Sequence, residues 1–516
     1  MKQPNIIFIM ADQLAAHALA AYGNTVCKTP HLDKLATDGT VFENANCAYP
    51  LCAPSRFALM SGRLASRIGA YDNAAEFPAS VPTFAHYLRD AGYYTCLSGK
   101  MHFVGPDQHH GFEDRLTTEI YPSDFSWTPK TYEEVGDPER PEHHVKTQGV
   151  SSVETVADAS AVARSMQIDY DEEVARRAIQ QIYDWRRYGD GRPLFMTISF
   201  TQPHDPYVST PEFWNLYKDE EIDEPRVQRI DLDKMDSHSR GLYFHYGLDK
   251  FNVTDEVYRR ARRGYYAMIS YIDQKVGEIR AALEATGMAK DTILIFTSDH
   301  GDMVGERGLW FKKNLFQPAL SVPLFFHDPS SKGLGRVRAP VSLVDVLPTL
   351  VEIATGSHDA IVTEYEGSSL LPLMKNDDPE RIVFAEHLDG GTKAPRVMVR
   401  RGKYKLVYSE AYAPQFYNLE ADPGEVTNLA ESAEAQPIFD ELRSLLMETW
   451  NLDDLRKKVV ASQRTRQFLM RSLQIGKVVD WETYPNATRD HTKFVRRGDY
   501  FPEVEQRAYL RLPHSD

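Results

Sequence analysis

Residues 52 to 56 read Cys52-Ala53-Pro54-Ser55-Arg56, and they are the part of the chain best suited to covalent chemistry. Cys-x-Pro-Ser-Arg is the form that formylglycine-generating enzymes read, a modification that would turn the Cys52 thiol into an aldehyde. Hydrated, an aldehyde is a gem-diol with two hydroxyls on one carbon. One hydroxyl can attack sulfur, and deprotonating the other then expels sulfate and restores the aldehyde. A thiol has no such exit. The competing role for Cys52 is that of a small buried hydrophobe, the ordinary fate of a free cysteine, and five residues alone do not separate the two.

Other residues could serve the same chemistry. Asp12, Asp299 and His300 are oxygen and nitrogen donors of the kind that suit a hard divalent cation such as calcium, magnesium or manganese. Beside Cys52, such an ion would polarise the aldehyde hydrate and neutralise an incoming sulfate. In Ser98-Gly99-Lys100-Met101-His102, Lys100 offers a compact positive charge to a sulfate oxygen, and His102 a base near neutral pH. His204, between two prolines, and Lys312, in Trp310-Phe311-Lys312-Lys313, could hold the leaving oxygen and the sulfate. Taken singly, each has a plainer role as a helix cap, a turn residue or a solvated charge.

Position argues for more. Three short apolar runs read as buried parallel strands: Ile6 to Met10, Leu194 to Phe200, and Thr292 to Thr297. They are followed by Ala11-Asp12-Gln13, by Gln202-Pro203-His204-Asp205 and by Ser298-Asp299-His300-Gly301-Asp302. In an open α/β sheet, ligands sit beyond the carboxyl ends of the strands, so these clusters should converge on one crevice. Helical spacing supports the alternation. Val81 to Ala91 places Phe84, Tyr87, Leu88 and Ala91 on one face and stops at Gly92, and Thr254 to Thr286 ends at Gly287. Lys130 to Glu142, charged and broken by proline, reads as a surface excursion. After about residue 385, alternating apolar and polar residues from Pro395 to Tyr408 surround Arg401-Gly402 as in a hairpin, and a helix follows from about Pro437 to Trp450. The predicted organisation is an α/β catalytic domain over 1–385 with a mostly parallel sheet flanked by helices. A smaller antiparallel domain over 386–450 follows, then a basic, aromatic tail over 451–516 without a clear core.

Composition sets the outer bounds. A chain of 516 residues, 42% apolar, can bury a large core. With 74 acidic residues against 59 Lys and Arg, it is unsuited to nucleic acid or to an anionic membrane surface. The four cysteines, at 27, 47, 52 and 96, form no CxxC pair, which argues against a disulfide scaffold and a zinc knuckle. The apolar run at Ile6 is too short for a secretory signal, and nothing approaches a membrane span, so the expected location is cytoplasmic.

Together, the pentapeptide at Cys52, the run Thr95 to His102 and the run Thr297 to Met303 resemble type I formylglycine sulfatases of the alkaline phosphatase superfamily. Ala70 to Glu76, Gly105 to Glu113 and Tyr121 to Pro129 look like the choline sulfatase subgroup. The resemblance implies an alkaline-phosphatase-like fold, with Cys52 as formylglycine, nucleophile and metal ligand, and with Arg56 bonded to it. It also implies a calcium site completed by Asp12, Asp299 and His300, and sulfate binding by Lys100, His204 and Lys312. His204 or Lys312 would assist the leaving alkoxide, and His102 would be the base that releases sulfate. Gln13 departs from the adjacent-aspartate pattern common among sulfatases and leaves the metal less neutralised. A quaternary ammonium needs an aromatic face and a carboxylate, because it has no N–H to donate. The resemblance gives those roles to Trp127, Glu386 and an acidic tail residue of a neighbouring subunit, here Asp499, with Asn73 also in the substrate site. It further implies maturation by a formylglycine-generating enzyme and assembly through the tail into a homo-dimer or homo-tetramer.

Three readings follow: hydrolysis of choline-O-sulfate, the same machinery acting on an aryl sulfate or a phosphonate or phosphate ester, and a metal-binding assembly protein without catalysis. The first two require a modified Cys52. In protein purified from its native host, the peptide carrying Cys52 is expected at the mass of the aldehyde; an intact thiol there excludes both.

Overall fold

The computed structural model describes residues 3–139, 149–251, 253–331 and 335–482. In chain order the first strands are β1 (Asn5–Ala11), β2 (Thr40–Asn46), β3 (Tyr94–Gly99), β4 (Asp114–Arg115) and β5 (Ser160–Ala161). They are followed by β6 (Leu194–Ser199), β7 (Val208–Ser209), β8 (Thr292–Ser298), β9 (Leu324–His327) and β10 (Gly335–Ser342). Eight of them build one sheet in the order β10-β2-β9-β8-β1-β6-β3-β4, while β5 and β7 pair apart. Only β9 runs antiparallel to its neighbours in this sheet.

Strand β1 shows why the sheet is covered on both sides. Ile6, Phe8 and Met10 enter one core with Phe57, Phe84 and Leu347, whereas Ile7 and Ile9 enter another with Met196, Ile269 and Phe296. Successive strand side chains point to opposite faces, so a run apolar at every position must be sandwiched. Helices Cys52–Ser61, Phe84–Asp90 and Val346–Thr355 cover the first face, and Met166–Tyr188 and Asp255–Ala285 the second. The expected helix from Thr254 starts where the Thr254 side chain accepts from the Val257 N–H.

The three predicted strands are β1, β6 and β8, and they lie side by side at the centre, with Met10 opposite Ser199 and Ala11 opposite Ser298. A fourth, β3, flanks β6 and delivers Lys100; its Tyr-Thr-Cys-Leu-Ser-Gly sequence has no continuous aliphatic run to announce it. Gly99 ends β3 at φ +112°, where a Cβ would lie 1.9 Å from the Ser199 carbonyl oxygen, so only glycine lets the two strand ends close up.

One expectation is corrected. The described part of Lys130 to Glu142 is not a surface excursion: Thr131 caps the short helix Tyr132–Val135, and the buried Tyr132 donates its hydroxyl to the Leu388 carbonyl at 2.7 Å. The charges there masked one aromatic anchor. The tail from residue 451, expected to have no clear core of its own, packs on the main one: helix Leu452–Leu473 buries Leu455, Val459 and Val460 in the core that holds Phe8.

The C-terminal strands β11 (Ile382–His387), β12 (Arg396–Arg401), β13 (Tyr404–Tyr408) and β14 (Gln415–Asn418) form a consecutive antiparallel sheet, its β12–β13 turn at Gly402. Helix Gln436–Thr449 places Leu442 and Leu446 in one core with Val397 and Leu406 of that sheet. No described helix is long and apolar enough to cross a membrane.

Arg466 fastens the last helix. Its two terminal nitrogens donate to the two carboxylate oxygens of Asp72, each at 2.6 Å, with both side chains buried. Removing one partner strands a buried charge, so Arg466→Met is expected to lower the unfolding free energy by ~3–5 kcal/mol in denaturant titration. Pairing it with Asp72→Leu should recover most of the loss.

Candidate active site

Helix Cys52–Ser61 begins at Cys52, beyond the carboxyl ends of the central strands, and is buried throughout. The Asn73 side chain accepts the Ala53 N–H at 3.0 Å, satisfying one of the amides that a helix start leaves open. One turn on, Arg56 lies on the same face as Cys52. Its Nε donates to Asp299 at 2.8 Å, and its Nη1 donates to the Lys100 carbonyl at 2.5 Å and the Ser199 hydroxyl at 2.9 Å.

Asp12, Cys52, Asp299 and His300 bring one donor atom each within 4.8 Å of one another, all buried. The Cys52 Sγ lies 3.3 Å from His300 Nε2 and 3.8 Å from Asp12 Oδ1. His300 Nδ1 is engaged with the Gly301 carbonyl at 2.9 Å, which makes it the protonated nitrogen and leaves Nε2 as the ligand. Two carboxylates and an imidazole around the position that a modified Cys52 would share make a set fitted to a divalent ion. Gln13 does not join it. Its amide nitrogen donates to Asp302 at 2.6 Å and its oxygen accepts from Lys312, while its backbone N–H donates to Asp299 at 2.9 Å.

The cations ring this group. Lys100 bonds to Asp12 and lies 4.1 Å over the Tyr121 ring. Lys312 Nζ is 2.6 Å from His204 Nε2, and His204 Nδ1 meets the Asp205 carbonyl at 2.8 Å. Burial would raise the Asp12 carboxyl, but the positive charges beside it, Lys100 first and then Arg56, hold it well below the usual range. Burial, and then Lys312 for His204 and Lys100 and Arg56 for His102, push both imidazoles well below the ordinary histidine value, so both are neutral. His102 is buried and stacked on Tyr121 at 4.5 Å, and neither ring nitrogen has a hydrogen-bond partner among the described residues. Its backbone takes φ +60°, held where Glu119 accepts its N–H at 2.7 Å. Neutral, it has one bare ring nitrogen that could take a proton.

A cavity opens from this floor. Cys52, Asn73, His204 and Lys312 line its base, and Tyr121, Trp127, Phe244 and Tyr246 its walls. Trp127 is presented by the short turn Phe125–Trp127, with its edge on His102. Glu386, expected in the substrate site, is not on this wall. It shares a strand face with Phe384, whose ring meets Trp450 at 5.6 Å, and its carboxylate accepts from Ser66 N–H at 2.6 Å and Trp450 Nε1 at 2.9 Å. Asp499 falls outside the described residues. The acid on the wall is Asp389, which follows β11 and was missed; it bonds to Lys313 at 2.8 Å. A signal was available in Asp389-Gly390-Gly391, an acid before two glycines, since a Cβ on Gly390 would stand 3.3 Å from the His245 ring.

The strand ends thus carry a buried group that could hold a metal, a cysteine at a helix start and a lysine-histidine pair, the parts that hydrolysis of an anionic ester needs. The sulfatase family model matches residues 4–357, and the model for the C-terminal part of N-sulphoglucosamine sulphohydrolase matches 305–451. The chain is 42% identical over 489 residues to a choline-sulfatase of Rhizobium meliloti (strain 1021), covering 94% of each. It is 30% identical over 462 residues to an arylsulfatase of Clostridium perfringens, covering 86% of this chain and 94% of that one. Among solved structures, a phosphonate monoester hydrolase of Agrobacterium radiobacter superposes with a TM-score of 0.68 at 24% identity, covering 89% of this chain and 96% of that one. The chain belongs to the sulfatase family and is a sulfuric ester hydrolase.

The two carboxylates can be told apart by pH. Burial pushes Glu386 up to about 7 against the bonds from Ser66 and Trp450. A carboxyl raised in the folded state stabilises the fold while protonated and loses that contribution as pH climbs from its ordinary 4.5 towards 7. Glu386→Gln is therefore expected to flatten the fall in unfolding free energy across that window without changing KM. A rise in KM confined to a cationic ester would instead put Glu386 in the substrate site.

Proposed function

We propose that the chain hydrolyses choline-O-sulfate to choline and sulfate, with Cys52 acting as formylglycine. The observation that carries this reading is the cavity, which joins the Cys52, His204 and Lys312 floor to aromatic walls and a carboxylate. The 42% identity to a choline-sulfatase supports it. A divalent cation held by Asp12, Cys52, Asp299 and His300, calcium in this reading, would draw charge from the nucleophile's oxygen and offset that of the sulfate.

The remaining work falls to side chains. Lys100 and Lys312 would neutralise sulfate oxygens as charge builds on them. With His204 neutral, the short contact between the two makes Lys312 the donor, and a proton shared there can pass to the oxygen that leaves with choline. The bond broken is S–O, so choline keeps its oxygen. His102, neutral and unpartnered, would take the proton of the second hydroxyl and release sulfate. The ammonium would rest against Trp127 and Tyr121 with Asp389 in reach.

Trp127→Ala is expected to cut kcat/KM for choline sulfate about 30-fold, the scale of ~2 kcal/mol for a desolvated cation over an indole. Turnover of p-nitrophenyl sulfate should change little. Better turnover of the aryl ester or of a phosphonate ester by the unaltered enzyme, or equal losses on both sulfates, would overturn the assignment in favour of the broader machinery. Hydrolysis in heavy-oxygen water should label sulfate and leave choline unlabelled.

A further inference from the structure

Among the described residues lining the cavity, Asp389 is the only acid, and it is already taken. Lys313 Nζ donates to Asp389 Oδ2 at 2.8 Å, the two side chains being 12% and 6% exposed. His245 Nε2 lies 3.4 Å from the same ammonium. Lys312 and Lys313 are consecutive, yet the first turns to His204 at the floor and the second to Asp389 on the wall. The intervening backbone makes this possible, with Lys313 at φ +67°, a conformation a lysine adopts rarely and at a cost. Gly390 lies alongside, where a Cβ would stand 3.3 Å from the His245 ring.

Resting on the choline sulfate reading, we infer that Lys313 is a specificity-determining residue: a resident cation that holds Asp389 when the cavity is empty and competes with the substrate's ammonium for it. A nearly buried carboxylate with no counter-charge is costly, and Lys313 removes that cost. A quaternary ammonium has no N–H, so it cannot replace the lysine's hydrogen bond and can only share the carboxylate's field. The pair is close to neutral as a unit, and the ammonium gains little from it. Recognition then falls on the aromatic walls and on the sulfate end. An intact ester is held at both ends, whereas choline alone keeps only the weaker one and leaves. The pair thus favours ester over product.

The test uses choline as an inhibitor of p-nitrophenyl sulfate hydrolysis by the full-length, modified enzyme, so it does not depend on choline sulfate turnover. Lys313→Met is expected to tighten choline inhibition about tenfold, one ionic contact's worth. The neutral carbon analogue, dimethylbutanol, should inhibit it as it does the parent. Lys313→Arg keeps the charge and should match the parent, and Asp389→Asn should weaken choline. Thermal unfolding midpoints of each variant check that it folds; if Lys313→Met does not, Lys313→Gln with the same expected tightening replaces it. Unchanged or weaker choline inhibition in the charge-removed variant overturns the role of Lys313 alone, provided Asp389→Asn still weakens choline. If choline and dimethylbutanol inhibit the parent enzyme equally, there is no ammonium site and both readings fall.

Discussion

The Arg56 guanidinium holds the catalytic centre together. It is buried one turn into the helix that starts at Cys52, and it reaches the ends of three strands at once: Asp299 after β8, the Lys100 carbonyl after β3 and Ser199 on β6. A single planar, permanently charged group thereby fixes the helix of Cys52 to the part of the sheet that carries Asp299, His300 and Lys100. Neither a lysine nor a neutral residue could span those acceptors in one plane. Because the guanidinium is buried, it also needs the carboxylates it touches, and they need it.

That mutual need extends across the floor. Asp12, Asp205, Asp299 and Asp302 stand among Arg56, Lys100 and Lys312, with His204 and His102 beside them neutral. Every charge is removed from water, so each survives only through its neighbours. Gln13 belongs to this account. Where a second carboxylate would add charge to the metal group, its amide instead links Lys312 to Asp302 and keeps the lysine aimed at His204. Burial and crowding of positive charge are what keep His204 and His102 neutral.

The cavity above is a composite of distant segments. Trp127 comes from a turn after β4, Phe244 and His245 from helix Ser237–His245, and Asp389 from the loop after β11 in the small sheet. The small sheet and the last helix share a core with one face of the main sheet, so their attachment shapes the substrate end of the site. Arg466 links the two regions: besides Asp72, next to Asn73, it reaches the Thr128 hydroxyl at 3.4 Å, next to Trp127.

The reaction class was legible in one dimension because it depends on residue types and on strand periodicity, which are local. Cys52 with Arg56 four residues on, and Asp12, His204 and Asp299 just past apolar runs, could be assigned to one crevice before any coordinates. Strand β3 was not legible, since its pairing with β6 compensates for a weakly apolar run, and neither was the packing of helix Leu452–Leu473. Least legible was the carboxylate of the substrate wall. Glu386 and Asp389 lie three residues apart, both acidic and both near an antiparallel strand's end. Which one faces the cavity is set by the pleat of β11, which turns Glu386 with Phe384 towards Trp450, and by the loop after it, whose two glycines fit close against His245 and Leu242. The sequence alone determined the fold class and which residue types meet at the floor. The direction of the wall's side chains was decided by tertiary structure, because it depends on strand register and on neighbours far away in the chain.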